Sequence, residues 1–199
     1  MTFDPRTFVS SVVTDTCAVW NVLSSTKLYR TAFKAKATFR ITRMVLFECT
    51  LKPRKFKTEE QSELLRRFEE VRKDGKFEVH ECELEDLLSV SRVAPIGLGS
   101  GELSCIASCF KTRELGFMTD ERQARVFAED KLALKVETTP RLYGWLHYHR
   151  LLLDGDHQDI VDEHKRFERR PLTPFFETAY HSALEYRLME RQGLPSKTP

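Results

Sequence analysis

The chain has 199 residues, of which 41% are hydrophobic and 31% charged, so it can bury a core beneath a well-solvated surface. No apolar run approaches the roughly 18 residues a membrane span needs, and the N-terminus lacks the basic-then-apolar pattern of a signal peptide. The net charge of +2 excludes a uniformly acidic or basic protein, but it averages over two unlike blocks.

In chain order, Ser10 to Thr14 reads as a β-branched strand. Helices follow over Thr16 to Leu23 and Leu28 to Lys36, then a short strand over Thr38 to Ile41. Met44 to Cys49 is a helix that carries Glu48. Thr58-Glu59-Glu60-Gln61 is a capping box, opening a helix with Leu64, Leu65, Phe68 and Val71 on one side and ending at Asp74-Gly75. Phe77 to Glu81 alternates as a strand does, and Glu83 to Val90 forms another short helix. Ser100 is placed to cap a helix with Leu103, Ile106, Ala107 and Phe110 at core spacing. A strand over Leu115 to Thr119, a helix over Asp120 to Lys131 and a last strand over Leu134 to Glu137 complete the pattern.

Strands alternating with helices predict an α/β fold: a three-layer α/β/α arrangement around a mostly parallel sheet, over residues 1–137. Residues 138–199 read as a helical extension, packed on that domain or on a partner. Leu142, Trp145, Leu146 and His149 make one face, and Asp156 to Phe167 is a charged helix. After the helix start at Thr173-Pro174, Phe175, Phe176, Ala179, Tyr180, Ala183, Leu184 and Leu188 form an apolar stripe, stopped by Gly193 and Pro195.

From Thr16 to Thr58 stand Lys27, Arg30, Lys34, Lys36, Arg40, Arg43, Lys52, Arg54, Lys55 and Lys57, against the single acid Glu48. Such a block suits an anionic partner or, equally, a solvated helix face. Tyr29, Phe33, Phe39 and Phe56 are interleaved with these cations, where they either stack on unpaired bases or, as is commoner, serve the core. The five cysteines are odd in number and form no CxxC pair, as expected of thiols in a reducing, cytoplasmic compartment.

The chemistry lies in the acids. Val12-Val13-Thr14-Asp15 and Phe117-Met118-Thr119-Asp120 each run an apolar strand into Thr-Asp, and Glu102 follows the small-residue stretch from Gly97 to Gly101. Each has a plain structural role available. Asp15 can be an N-cap, Asp120-Glu121-Arg122-Gln123 fits a capping box, Glu102 favours a helix's first turn, and Glu48 can pair with a basic neighbour. Together they say more. A parallel sheet delivers Asp15 and Asp120 to one edge with Glu102, and carboxylates crowded there repel one another unless a hard cation relieves them. Mg²⁺ takes a few carboxylates and several waters, and can bridge to a phosphate. Thiols and imidazoles are not clustered near these positions, which disfavours zinc.

Four segments in this order resemble the PIN-domain nucleases, in their bacterial Gly-Glu branch. They are Val-Val-Thr-Asp15-Thr, Leu46-Phe47-Glu48-Cys49, Gly99-Ser100-Gly101-Glu102-Leu103-Ser104-Cys105-Ile106-Ala107, and Met118-Thr119-Asp120-Glu121-Arg122-Gln123-Ala124-Arg125. The resemblance covers roughly residues 10 to 137. It implies a Mg²⁺- or Mn²⁺-dependent phosphodiesterase, acting on RNA or, alternatively, DNA. Asp15, Glu48, Glu102 and Asp120 would form the acidic set. Asp15, Glu102 and Asp120 would hold the metal, with Asp120 set to orient or deprotonate water and Thr16 and Thr119 in support. Lys34, Lys36, Arg40, Arg43, Lys52, Arg54, Lys55 and Lys57 would track the phosphate backbone. The resemblance also implies a toxin of a toxin–antitoxin pair or an effector of a defence system, with an antitoxin or complex protein as partner.

Two other readings stay open. One is a non-catalytic binding or assembly module whose C-terminal stripe docks a partner or a second copy. The other is a small-molecule phosphatase, since Asp15-Thr16-Cys17 is similar to the phosphoaspartate motif of dehalogenase-like phosphatases, with Cys17 in place of a second Asp. His147 and His149 are a poor metal pair on a helix, and His157 and His164 share a face that reads as solvated.

Overall fold

A computed structural model describes residues 4–52, 58–167 and 172–193. Five strands form one sheet: β1 (Ser11–Thr14), β2 (Thr38–Ile41), β3 (Glu78–Val79), β4 (Gly116–Met118) and β5 (Val136–Glu137). Their order is β3-β2-β1-β4-β5, and all four pairings are parallel. The central strand β1 aligns Val13 with Arg40 on β2 and with Phe117 on β4. Val12, Val13, Phe117 and Met118 are fully buried, as the continuous apolar runs of a parallel sheet require. The outermost strands, β3 and β5, have two residues each, shorter than their apolar runs suggested. Short edges offer little unpaired backbone for stray strand addition.

The helices are α1 (Thr16–Leu23), α2 (Thr26–Lys34), α3 (Arg43–Thr50), α4 (Glu59–Lys73), α5 (Leu84–Ser91), α6 (Ser100–Thr112), α7 (Arg122–Val126), α8 (Thr139–Tyr148), α9 (Asp156–Phe167) and α10 (Thr173–Arg191). They flank the sheet in a three-layer α/β/α arrangement. Five of them begin where a short polar side chain caps the first turn: Asp15 on Ala18, Ser25 on Leu28, Thr42 on Val45, Thr58 on Gln61 and Thr138 on Arg141. Two starts differ from expectation. Ser100 is the first residue of α6 rather than its cap, and Gly99 takes the cap position. The helix expected from Asp120 begins at Arg122 and passes into a π-helical turn over Phe127–Lys131.

The turns that feed β2, β3, β4 and β5 each contain a left-handed residue: Lys36, Gly75, Arg113 and Ala133. Lys36 at φ 63° ends α2 two residues before the predicted helix end.

The C-terminal helices close over the sheet's own helices. Helix α8 packs on α1 and α2, α9 on α2 and α4, and α10 on α8 and α9. One core cluster runs through Val13 and Phe117 to Leu142, Tyr143, Ile160 and Phe176. On α10 only Phe176, Ala179 and Ala183 are buried, whereas Phe175 and Leu188 stay 57% and 55% exposed, so the stripe is narrower than its sequence pattern. Arg67 locks the layers together. Its buried guanidinium donates to the carbonyls of Leu23 and Ser24 at 2.9 and 3.1 Å and pairs with Glu63 and Glu163.

The histidines depart most from their sequence reading. His149 is exposed, while His147 is fully buried on α8 with neither ring nitrogen hydrogen-bonded. His164 is buried against Ser24, and His157 bridges Tyr143 and Glu177. Neither of the last two is a solvated surface residue, because α10 folds across that face of α9.

Candidate metal centre

Sheet order reverses between β1 and β4: β1 to β3 build outward on one side, and the chain then crosses to the other. Ligand crevices of open α/β sheets form at that point, beyond the carboxyl ends of the strands. Asp15 and Asp120 occupy its two lips. The Asp15 N–H donates to the Met118 carbonyl at 3.1 Å, so the residue after β1 is stitched to the end of β4.

Each of the four predicted acids accepts a backbone N–H from the start of a helix. Asp15 Oδ1 takes Ala18 N–H of α1 at 2.8 Å, and Asp120 Oδ1 takes Thr139 N–H of α8 at 2.8 Å. At the start of α6, Glu48 Oε1 takes Gly101 N–H at 3.2 Å and Glu102 Oε2 takes Gly99 N–H at 2.8 Å. First-turn N–H groups have no partner inside their own helix and carry the positive end of its dipole. The sequence therefore aims helix N-termini at this edge as weak positive counterparts.

Hydroxyls and an amide supply the rest. Thr119 Oγ donates to Asp15 Oδ2 at 2.5 Å while accepting the Glu121 N–H. Thr16 Oγ and Ser100 Oγ donate to Glu48 at 2.5 and 3.2 Å. Asp120 Oδ2 accepts from Thr139 Oγ at 2.6 Å and from Asn21 Nδ2 at 2.8 Å. The capping-box reading of Asp120 is thus overturned: Glu121 holds the cap position of α7, with no side-chain cap bond, and the Asp120 carboxylate turns to α1 and α8 instead. Asp15 and Glu102 do serve as helix-start acceptors, in addition to lying at the edge.

The charges that act most on the Asp15 and Glu102 carboxyls are those of other acids, while His164 acts on Asp120 and lowers it. Burial pushes the Asp15 carboxyl up to about 8, against its Thr119 and Ala18 donors, and the charges of Asp120 and Glu102 add to the rise. Burial also raises Asp120 and Glu102, the latter with help from Glu121 and Glu48. Acids that feel one another in this way share one neighbourhood.

Among the described residues no three acids, imidazoles or thiols stand as a ready-made ligand cage. The donor set still fits a hard cation. All its atoms are oxygens, the charges that act on Asp15 and Glu102 are negative, and Mg²⁺ binds through one or two carboxylates while keeping several waters.

Among the described residues the basic block does not gather into one track. Lys34 and Lys36 precede β2, at the rim opposite the acids, and are exposed. Arg40 lies within β2, Arg43 opens α3 at the acid rim and pairs with Glu81 at 2.8 Å, and Lys52 is exposed just after α3. Arg54, Lys55 and Lys57, with Phe56, lie outside the described residues. Tyr29, Phe33 and Phe39 pack into an aromatic cluster with Phe77, which removes them as base-stacking residues.

Sequence reasoning missed Asn21 and Thr139. Asn21 left one trace, as the lone amide among Ala18, Val19, Trp20, Val22 and Leu23; Thr139 left none beyond its place in Thr-Thr-Pro. No family model matches the chain, and comparisons with curated proteins and with solved structures return no match.

Proposed function

We propose that the protein is a metal-dependent endonuclease, most suited to RNA, that hydrolyses phosphodiester bonds at the β1–β4 crevice. The observation that carries this reading is the meeting of Asp15 and Asp120 at the sheet's switch point, where donors from α1 and α8 hold the Asp120 carboxylate and it does not cap its own helix. Asp15, Asp120 and Glu102 would hold Mg²⁺ or Mn²⁺. When bound, the cation lowers the pKa of a water and offsets charge on the phosphate oxygens. Glu102 keeps Oε1 out of any hydrogen bond among the described residues, which leaves that oxygen to the cation or to one of its waters. Asp120, whose oxygens receive three donors, is better placed to hold than to shuttle a proton. Glu48, secured by Thr16, Ser100 and Gly101, would orient the α6 start. Arg43 and Lys52 are the predicted cations nearest in the chain to that edge and would meet the phosphate backbone, with DNA as the alternative substrate. A toxin or defence-effector role, with an antitoxin or complex protein as partner, belongs to the same reading. So does a cytoplasmic setting, supported by the buried thiols of Cys105 and Cys109. Among the described residues, no helix is long and apolar enough to cross a membrane.

The test is cleavage of a panel of RNA and DNA substrates with Mn²⁺ and with EDTA. Asp15→Asn and Asp120→Asn are expected to abolish Mn²⁺-dependent cleavage while the circular dichroism spectrum stays that of the native fold. Cleavage that survives EDTA, or either substitution, rules the assignment out.

A further inference from the structure

Asp120 draws its side-chain donors from two other elements: Asn21, 99 residues away on α1, and Thr139, 19 residues away at the start of α8. Its own helix contributes nothing to its carboxylate. A carboxylate offers about four lone-pair sites. Thr139 N–H takes one on Oδ1, and Thr139 Oγ and Asn21 Nδ2 take two on Oδ2. One site, on Oδ1, takes no donor among the described residues.

Both supports lead back to the C-terminal helices. Thr139 is the first residue of α8. The Asn21 carbonyl accepts Ser24 Oγ–H at 2.6 Å, and Ser24 Oγ itself lies 2.6 Å from His164 Nδ1 on α9. Ser24 has one hydroxyl proton, so with that proton on the Asn21 carbonyl, Nδ1 of His164 is the donor to Ser24. The adjacent Glu163 accepts both the N–H and the hydroxyl of Thr26 at the start of α2. Helix α9 therefore braces the end of the helix that presents Asn21.

We propose that Asn21 and Thr139 are positioning residues for Asp120, through which the C-terminal helices act as a built-in part of the cation site. The inference rests on the reading of Asp120 as a cation ligand. Groups that orient a metal ligand commonly change metal affinity or activity by roughly 10- to 100-fold when removed.

The experiment titrates the full chain with Mn²⁺ alone, read by electron paramagnetic resonance, and then measures cleavage. Thr139→Val keeps the backbone N–H and the shape but loses the hydroxyl. It is expected to weaken Mn²⁺ binding by about 10- to 100-fold and to lower kcat with little change in KM, while Thr139→Ser restores both. Asn21→Ala is expected to act in the same direction and carries the test should Thr139→Val fail to fold. Folded Thr139→Val and Asn21→Ala proteins that bind Mn²⁺ as the wild type does overturn the proposal and leave the nuclease reading intact. A wild type that binds Mn²⁺, loses it in these variants and cleaves nothing supports the proposal and counts against the nuclease. A wild type that binds no Mn²⁺ overturns both.

Discussion

Gly101 shows how closely the acid edge is assembled. Its N–H donates to Glu48, and a Cβ in its place would stand 2.6 Å from Glu48 Oε2, with no room between. Glycine is needed here for close approach and not for backbone freedom, since the residue sits inside α6 with helical geometry. Gly101→Ala is therefore expected to push the Glu48 carboxylate off its three donors and to cut Mn²⁺-dependent cleavage about tenfold or more. Alanine is the better helix former by about 1 kcal/mol, which counters the clash, so the unfolding midpoint is expected to move little. Cleavage rate beside thermal unfolding separates the two effects. At this scale the sequence singled out Asp15 and Asp120 at the ends of apolar strands and Glu102 in a helix's first turn, while Glu48, inside α3, entered only with the four-segment resemblance. It did not disclose what holds them. Asn21, Thr139 and Ser100 reach their partners only through tertiary contacts, and local chemistry misread Asp120 as a cap because Asp-Glu-Arg-Gln fits that motif as well as any.

Helix α8 buries an imidazole that pays a cost. His147 is packed among the rings of Tyr143 on its own helix, His157 on α9 and Tyr180 on α10, and the charges of Asp154, Asp156 and Arg187 act on it. Burial pulls its pKa down to about 4 from 6.5, helped by His157 and Arg187 and opposed by Asp154 and Asp156. A depressed histidine is neutral in the fold and protonated in the unfolded chain between those values. Its contribution is thus fully present above about pH 6.5 and is lost as pH falls towards 4, by up to about 3 kcal/mol. His147→Leu is expected to leave stability at pH 7 unchanged or higher and to flatten the acid-side fall in the unfolding midpoint between pH 6.5 and 4, measured by thermal unfolding across pH. Elements with strong local signals were legible: α1, β2 and α9 have the expected ends, set by Asp15, Lys36 and Asp156. The edge strands, the π-helical turn and the buried histidines were not. Pairing at a sheet edge and coverage by α10 decide them, and neither leaves a periodic trace.

The molecule divides by rim as well as by layer. At the strands' carboxyl ends lie the acids and the starts of α1, α6 and α8; at the other rim lie the left-handed turns and the exposed Lys34 and Lys36. The α/β class was legible in the alternation of strands and helices, but the role of the last sixty residues was not. Their apolar stripe fits a partner as well as it fits this chain. The structure turns the stripe's buried part, Phe176, Ala179 and Ala183, inward: Leu142, Tyr143, Ile160 and Phe176 share one core with β1 and β4, Glu163 and Arg67 tie α9 to α4, and Thr139 reaches the acid edge. A chain ending at Glu137 is therefore expected to lose cooperative unfolding and Mn²⁺ binding together, as read by thermal melts and metal titration. A truncated chain that melts cooperatively would show the sheet and its first seven helices to be self-sufficient.

Lys36 gives the experimenter a fixed vantage point. It sits in a tight left-handed turn, its side chain is exposed, and the four residues of β2 that begin two positions later put roughly 13 Å of strand between that turn and the opposite rim. A spin label attached there would stand clear of the acids, and its separation from a Mn²⁺ at the far end would measure how far across the sheet the ion sits.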